Sequence, residues 1–168
     1  TLNGAKVLPA TVLSEIKGKD ISLNLDMENG FIWKINGTSI TAETPVDTDL
    51  SVTNTAEYIP AALYSLISTN QNDFGFHLGR NGAFDFPAVL SVKADASCAG
   101  LMANLFWYDV ENGVLQCIQT VTVGGAFERS IPYADFTLSK GQDYFIAFGT
   151  ESLNGRVIHT DGSITDEN

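Results

Sequence analysis

Residues 102–121, "MANLFWYDVENGVLQCIQTV", decide how this chain is read. Two runs rich in β-branched and aromatic residues flank "DVENG", and Asn112-Gly113 supplies the dipeptide that two-residue hairpin turns favour, because both central positions need positive φ. With the loop placed at residues 109–113, Tyr108 pairs with Val114, Trp107 with Leu115 and Leu105 with Cys117. Side chains alternate across a strand. Leu101, Ala103, Leu105, Trp107, Leu115, Cys117 and Val121 then share one apolar face, which is assigned to the core. Met102, Asn104, Phe106, Tyr108, Val114, Gln116, Ile118, Thr120 and Thr122 share the other, which mixes aromatics with amides and hydroxyls. A plainly solvated face would not carry Phe106 and Ile118.

The same turn signal recurs along the chain, at Asn3-Gly4, Asn29-Gly30, Asn36-Gly37, Asn81-Gly82 and Asn154-Gly155, with Asp161-Gly162 beside them. Between these points lie short runs such as "DISLNLDM", "FIWKI", "DLSVTN", "DFGFHL", "AVLSVKA" and "DYFIAFG". Short strands separated by turns at this spacing predict an all-β protein, an antiparallel β-sandwich of immunoglobulin-like or jelly-roll-like type. One stretch departs from the pattern. "IPAALYSLIS" puts Pro60 where a first helical turn tolerates it and aligns Leu63, Leu66 and Ile67 on one face, predicting one short helix over Pro60–Ser68. Residues 1–160 are read as a single module, and 161–168 as a polar tail or the start of a linker.

Composition narrows the function classes. At 168 residues the chain is long enough for a substantial core, and 44% hydrophobic against 17% charged residues is ordinary for a globular protein. No run approaches the ~18 apolar residues of a membrane-spanning helix. The opening "TLNGAKVLPATV" has no basic start followed by a long apolar run, so the chain is read as cytoplasmic or as a mature or excised module. The net charge is −11 and the nine Lys and Arg are scattered. Phosphate backbones and anionic lipid are repelled by such a field, so neither nucleic acid nor membrane is an expected partner.

Catalytic signatures are missing. The sequence holds no G-x-S-x-G, no H-E-x-x-H and no phosphate-cradling loop. His77 and His159 are read as surface or hairpin-end residues. Twenty Asp and Glu make a chance pair of carboxylates inevitable, which gives no support to a glycosidase. The expectation is a protein that is not an enzyme. Structural calcium is the one cofactor with a motive, because "ETPVDTD" (Glu43 to Asp49) and "DVEN" (Asp109 to Asn112) gather oxygen ligands. Cys98 and Cys117 stand about 23 Å apart along the predicted hairpin, beyond the reach of a disulfide unless the chain folds back before Leu101. They are read as two buried free thiols.

Taken together, "WKING", "IPAAL", "GAF-FPA-LSV", "AGL-ANLFWYD-ENGVL" and "DYFIAFG" resemble a β-sandwich module of large secreted, cell-surface or cellulosome-associated proteins of clostridia and ruminococci. The resemblance runs from Ile32 to Gly149 and departs at Cys98 and Cys117. It implies an extracellular, secreted or surface-attached, non-catalytic piece of a multimodular chain, with polysaccharide or the neighbouring modules of the same chain as partners. Sugar rings offer apolar C–H faces to aromatic planes, and their hydroxyls need amide or carboxylate partners. Phe106, Tyr108, Asn104 and Gln116 present both on one expected face, and Tyr58 and Tyr64 near the short helix form a second candidate group. Two readings of the hairpin face stand side by side. It is a platform for plant or storage polysaccharide, or a second core layer covered by a helix, loop or neighbouring module, as suits a structural or protein-interaction role beside a dockerin, enzyme or anchoring module.

Overall fold

The computed structural model describes residues 6–124 and 131–166, with the backbone alone at Asn81. Eleven strands and two short helices are found among them: β1 Val7–Leu8, α1 Ala10–Ile16, β2 Ser22–Asp26, β3 Phe31–Asn36, β4 Thr48–Asp49, β5 Val52–Thr53, α2 Ala61–Tyr64, β6 Phe74–Lys93, β7 Met102–Asp109, β8 Val114–Thr122, β9 Tyr133–Gly149, β10 Arg156–Ile158 and β11 Ile164–Asp166. The fold is mostly antiparallel β, as the turn spacing predicts. Hydrogen bonding runs in the order β11-β10-β8-β7-β9-β6-β3-β2, with β5 on β6 and a separate β1-β4 pair. No helix among the described residues is long and apolar enough to cross a membrane.

The chain divides into two compact units. The first comprises residues 1–53, 78–92 and 135–142. Its strand β3 alternates cleanly, with Phe31, Trp33 and Ile35 buried, and pairs with β2 on one side and β6 on the other. The Trp33 indole N–H donates to the Leu50 carbonyl at 2.9 Å, and its ring meets Phe84 edge-on at 5.7 Å. The first unit also contains a helix not expected from the sequence. Pro9 precedes α1, which buries Leu13 and Ile16 at a spacing of one helical turn. Asn81-Gly82 does not close a hairpin: it lies inside β6, with Gly82 at φ 86°. Nearby, a Cβ on Gly141 would lie 1.8 Å from the Arg80 carbonyl oxygen, so only glycine permits that approach.

The second unit comprises residues 54–77, 93–134 and 143–168. Here β7 is an interior strand, hydrogen-bonded to β8 and to β9. Asn112-Gly113 closes the β7–β8 hairpin and Asp161-Gly162 the β10–β11 hairpin, so residues 164–166 of the expected tail pair with β10. Asn3-Gly4 lies outside the described residues.

The hairpin register corrects the sequence reading in two places. Next to the loop, Tyr108 pairs with Leu115, Trp107 with Gln116 and Phe106 with Cys117, one residue off the expected pairing. A β-bulge then intervenes, and beyond it Leu105 pairs with Gln119 and Asn104 with Thr120. The shift of one residue moves Leu115 and Cys117 of β8 from the face of Trp107 to that of Phe106 and Tyr108. Phe106 (0% exposed), Tyr108 (8%), Leu115 and Cys117 therefore belong to a core cluster, while Trp107, expected in the core, is half-buried on the opposite face with Gln116.

What covers Phe106 and Tyr108 is the segment around α2. Ile59, Leu63 and Ile67 join the cluster together with Phe145, Ala147 and Ile158, and Tyr64 stacks on Phe145 at 5.3 Å. Leu66, expected beside Leu63 and Ile67, is instead 45% exposed, because α2 is one turn long and the chain continues as turns. Cys98 and Cys117 are both buried and free, as expected.

Candidate functional site

One charged side chain organises the segment that covers the hairpin. Asp143 opens the apolar run "DYFIAFG" and is 0% exposed. A buried carboxylate is costly unless its lone pairs are filled, and here they are. The backbone N–H groups of Glu57 (3.1 Å), Tyr58 and Ile59 (3.0 Å) all donate to it, and His77 Nδ1 lies 2.7 Å away. Accepting from three N–H groups marks Asp143 as the acceptor, so Nδ1 carries the proton it shares with His77. The other ring nitrogen, Nε2, faces the Glu57 carboxylate at 3.6 Å.

Local geometry explains the gathering. Phe76 and Tyr144 stack at 5.2 Å on one strand face, which places their neighbours His77 and Asp143 together on the other. Gly75 lets the covering segment come close, since a Cβ there would lie 2.9 Å from that of Ala56. With three successive backbone N–H groups fixed, the side chains of Glu57 and Tyr58 turn outward. Glu57 is 52% exposed at its side chain and Tyr58 52% overall, and the Tyr58 ring meets His77 edge-on at 5.9 Å. An aromatic ring and a carboxylate are thus exposed side by side above a buried imidazole. His77 is not the surface residue the sequence suggests: it is 9% exposed.

Sequence reasoning missed Glu57, His77 and Asp143. The signal was present in the two strands themselves, a histidine inside "FGFHLG" and an aspartate at the head of "DYFIAFG", each a titratable residue in an otherwise apolar run.

The six expected ligand residues separate. Of the hairpin quartet, Phe106 and Tyr108 are core residues and do not form an open platform. Asn104 is 1% exposed: its Nδ2 donates to the Glu151 carbonyl (3.1 Å), and its Oδ1 accepts from Thr120 Oγ1 (2.7 Å) and the Leu153 N–H (2.8 Å). It holds the loop after β9. Gln116 lies across from Trp107, on the other face from Phe106. Tyr64 packs inward on Phe145, and of the second group only Tyr58 faces solvent.

A cavity of about 530 Å³ also lies in the second unit, with Phe106 and Asn104 in its wall. Leu66, Ile67, Phe148 and Ile158 make that wall chiefly apolar. Thr69, Asn70, Thr150, Glu151 and Arg156 also line it.

In the loops expected to offer calcium ligands, several carboxylates accept local hydrogen bonds. Asp47 accepts from the Ala10 N–H, Asp49 from the Ser51 N–H, and Asp109 from the Glu111 and Asn112 N–H groups and from Asn112 Nδ2. Among the described residues no group of three or more His, Cys, Asp or Glu is placed to hold a metal ion.

No protein-family model, no curated protein and no solved structure matches this chain.

Proposed function

We propose that the chain is a non-catalytic β-sandwich module of a multimodular secreted or surface-attached protein, and that it binds polysaccharide through the patch formed by Tyr58 and Glu57. The observation that carries this reading is the clamp on residues 57–59, where one buried carboxylate fixes three backbone N–H groups and leaves an aromatic ring and a carboxylate exposed side by side. The ring suits the C–H face of a sugar and the carboxylate its hydroxyls. Pre-organisation matters because a ligand then need not order the loop it binds. Burial of both faces of β7 from Ala103 to Phe106 supports the sandwich architecture. The imidazole is held between two carboxylates, with Glu57 rather than a hydroxyl or thiol recorded against Nε2, which supports a binding role over nucleophilic catalysis.

Affinity electrophoresis against a panel of soluble polysaccharides tests the reading. The native protein is expected to be retarded by at least one polymer, and Tyr58→Ala to migrate freely through it. Free migration of the native protein through the whole panel would remove the binding role. A second reading, a structural or protein-interaction module for a neighbouring part of the same chain, draws support from the burial of Phe106 and Tyr108, since the face expected to bind sugar serves the core.

A further inference from the structure

Charge distinguishes among the sugars that an aromatic ring can stack. We infer that the patch of Tyr58 and Glu57 takes a cationic amino sugar, such as the units of a deacetylated glucosamine polymer, an inference that rests on the glycan reading above. Glu57 is the exposed charge of the patch, and among the described residues the basic group within ion-pair distance of it is His77, not a Lys or Arg. The second carboxylate, Asp143, lies directly beneath and is compensated by backbone N–H groups and the same histidine, so it adds no attraction for anions.

The surroundings have the same sign. In the second unit the described cations are Lys93 and Arg156, and Arg156 is held by Asp166 at 3.2 Å. The whole chain carries −11. Uronic and sulfated sugars meet repulsion from such a field, whereas a protonated amine is drawn to it. At contact an ammonium gains twice, from the negative face of the Tyr58 ring and from a charge-assisted hydrogen bond to the Glu57 carboxylate. A neutral sugar gains the stacking and hydroxyl hydrogen bonds to the carboxylate, without the attraction between opposite charges.

Isothermal titration with three hexasaccharides, of glucosamine, N-acetylglucosamine and galacturonic acid, tests this in one buffer acid enough to protonate the free amines. A lysine hexapeptide is titrated alongside. The expected result is glucosamine binding about tenfold tighter than the acetylated form, weakening with added salt, and no binding of galacturonate. Glu57→Gln, whose amide still hydrogen-bonds sugar hydroxyls without the charge, is expected to bring the two affinities to within about twofold of each other, and Tyr58→Ala to abolish both. Both variants keep the backbone N–H groups that Asp143 holds, and a melting curve verifies that they fold. Equal or tighter binding of the acetylated sugar would overturn the charge inference and leave the glycan reading standing. So would a preference that survives Glu57→Gln, because the charge would then lie elsewhere. Binding of the lysine peptide as tight as that of glucosamine would point to a protein partner and overturn the inference. Failure of all three saccharides would overturn the charge inference, and the polysaccharide panel then decides whether the glycan reading stands.

Discussion

Tyr58 and Tyr108 are the same side chain in opposite situations, and a single stretch of chain makes them so. Tyr108 is 8% exposed beneath the segment that carries Ile59, Leu63 and Ile67, while Tyr58 stands on the outside of that segment at 52%. An aromatic residue's role is therefore set by what covers its strand, a tertiary fact that strand alternation does not carry. The segment is held by two different means. Apolar packing onto Phe106, Tyr108 and Phe145 fastens its inner side, and the carboxylate of Asp143 fastens its backbone.

The largest effects are expected where either fastening is removed. Asp143→Ala leaves three backbone N–H groups and an imidazole facing an empty site, and should cost roughly 3–5 kcal/mol. Phe106→Ala, which empties a fully buried ring from the inner side, should cost a similar ~3–5 kcal/mol. Urea denaturation reads both. The two also separate the fastenings. Hydrogen exchange in Asp143→Ala should accelerate first at residues 57–59, whereas Phe106→Ala should loosen β7 and β8. A loss below about 1 kcal/mol for Asp143→Ala would mean that packing alone holds the segment.

Trp107 tests the register from the other face. As a half-buried residue paired with Gln116, it should lose about 1–2 kcal/mol on substitution by Ala, well short of Phe106. The pairing expected from sequence demands the reverse ranking. A Trp107→Ala variant less stable than Phe106→Ala would therefore restore that register and undo the account of the bulge.

Much of the fold was legible in the sequence, and the failures share one cause. Asn29-Gly30, Asn112-Gly113 and Asp161-Gly162 close hairpins because local backbone chemistry decides them. Pro60 marks the start of α2 for the same reason. The bulge in β8 is different, because no residue there advertises it. Placing the loop one residue early and omitting the bulge set Leu115 and Cys117 on the face of Trp107 instead of that of Phe106 and Tyr108. Asn81-Gly82 carries the hairpin signal yet sits inside β6. For the site, Tyr58 was named but its companions were not. Glu57, His77 and Asp143 lie up to 86 positions apart in the chain, and only the pairing of strands brings them together.

A smaller effect concerns the thiols, of which Cys117 lies in the covered cluster. Burial pushes the Cys117 thiol up to about 11, and Cys98 is raised for the same reason. The folded chain thus holds these protons more tightly than the unfolded chain. That contribution to stability is whole below the ordinary thiol range near 9 and is lost as pH rises toward about 11. A shallow fall in the urea midpoint across this window is expected, together with slow labelling of both cysteines in the native state and rapid labelling in urea. Fast native labelling of Cys117 would show that its side of the hairpin is open, and the comparison with Tyr58 would collapse.

The smallest effect on stability is expected at Tyr58 itself, and it bears most on function. Its side chain is half exposed, and its recorded ring contact is the edge of His77, so Tyr58→Ala should change stability by no more than about 0.5 kcal/mol. Its backbone N–H still bonds to Asp143, so the loop keeps its shape. If the ring is a sugar platform, this near-silent substitution must nevertheless abolish retardation by the polysaccharide that holds the native protein. Tyr108→Ala supplies the contrast. Removing a buried ring should lower stability by a few kcal/mol, yet at a temperature well below melting the variant should bind as the native protein does, because Tyr108 lies beneath the surface the ligand meets. The two tyrosines are thus expected to divide stability and binding between them. Tyr58→Ala binding unchanged beside a native protein that binds would place the ligand elsewhere and leave the clamped loop a structural fastening alone.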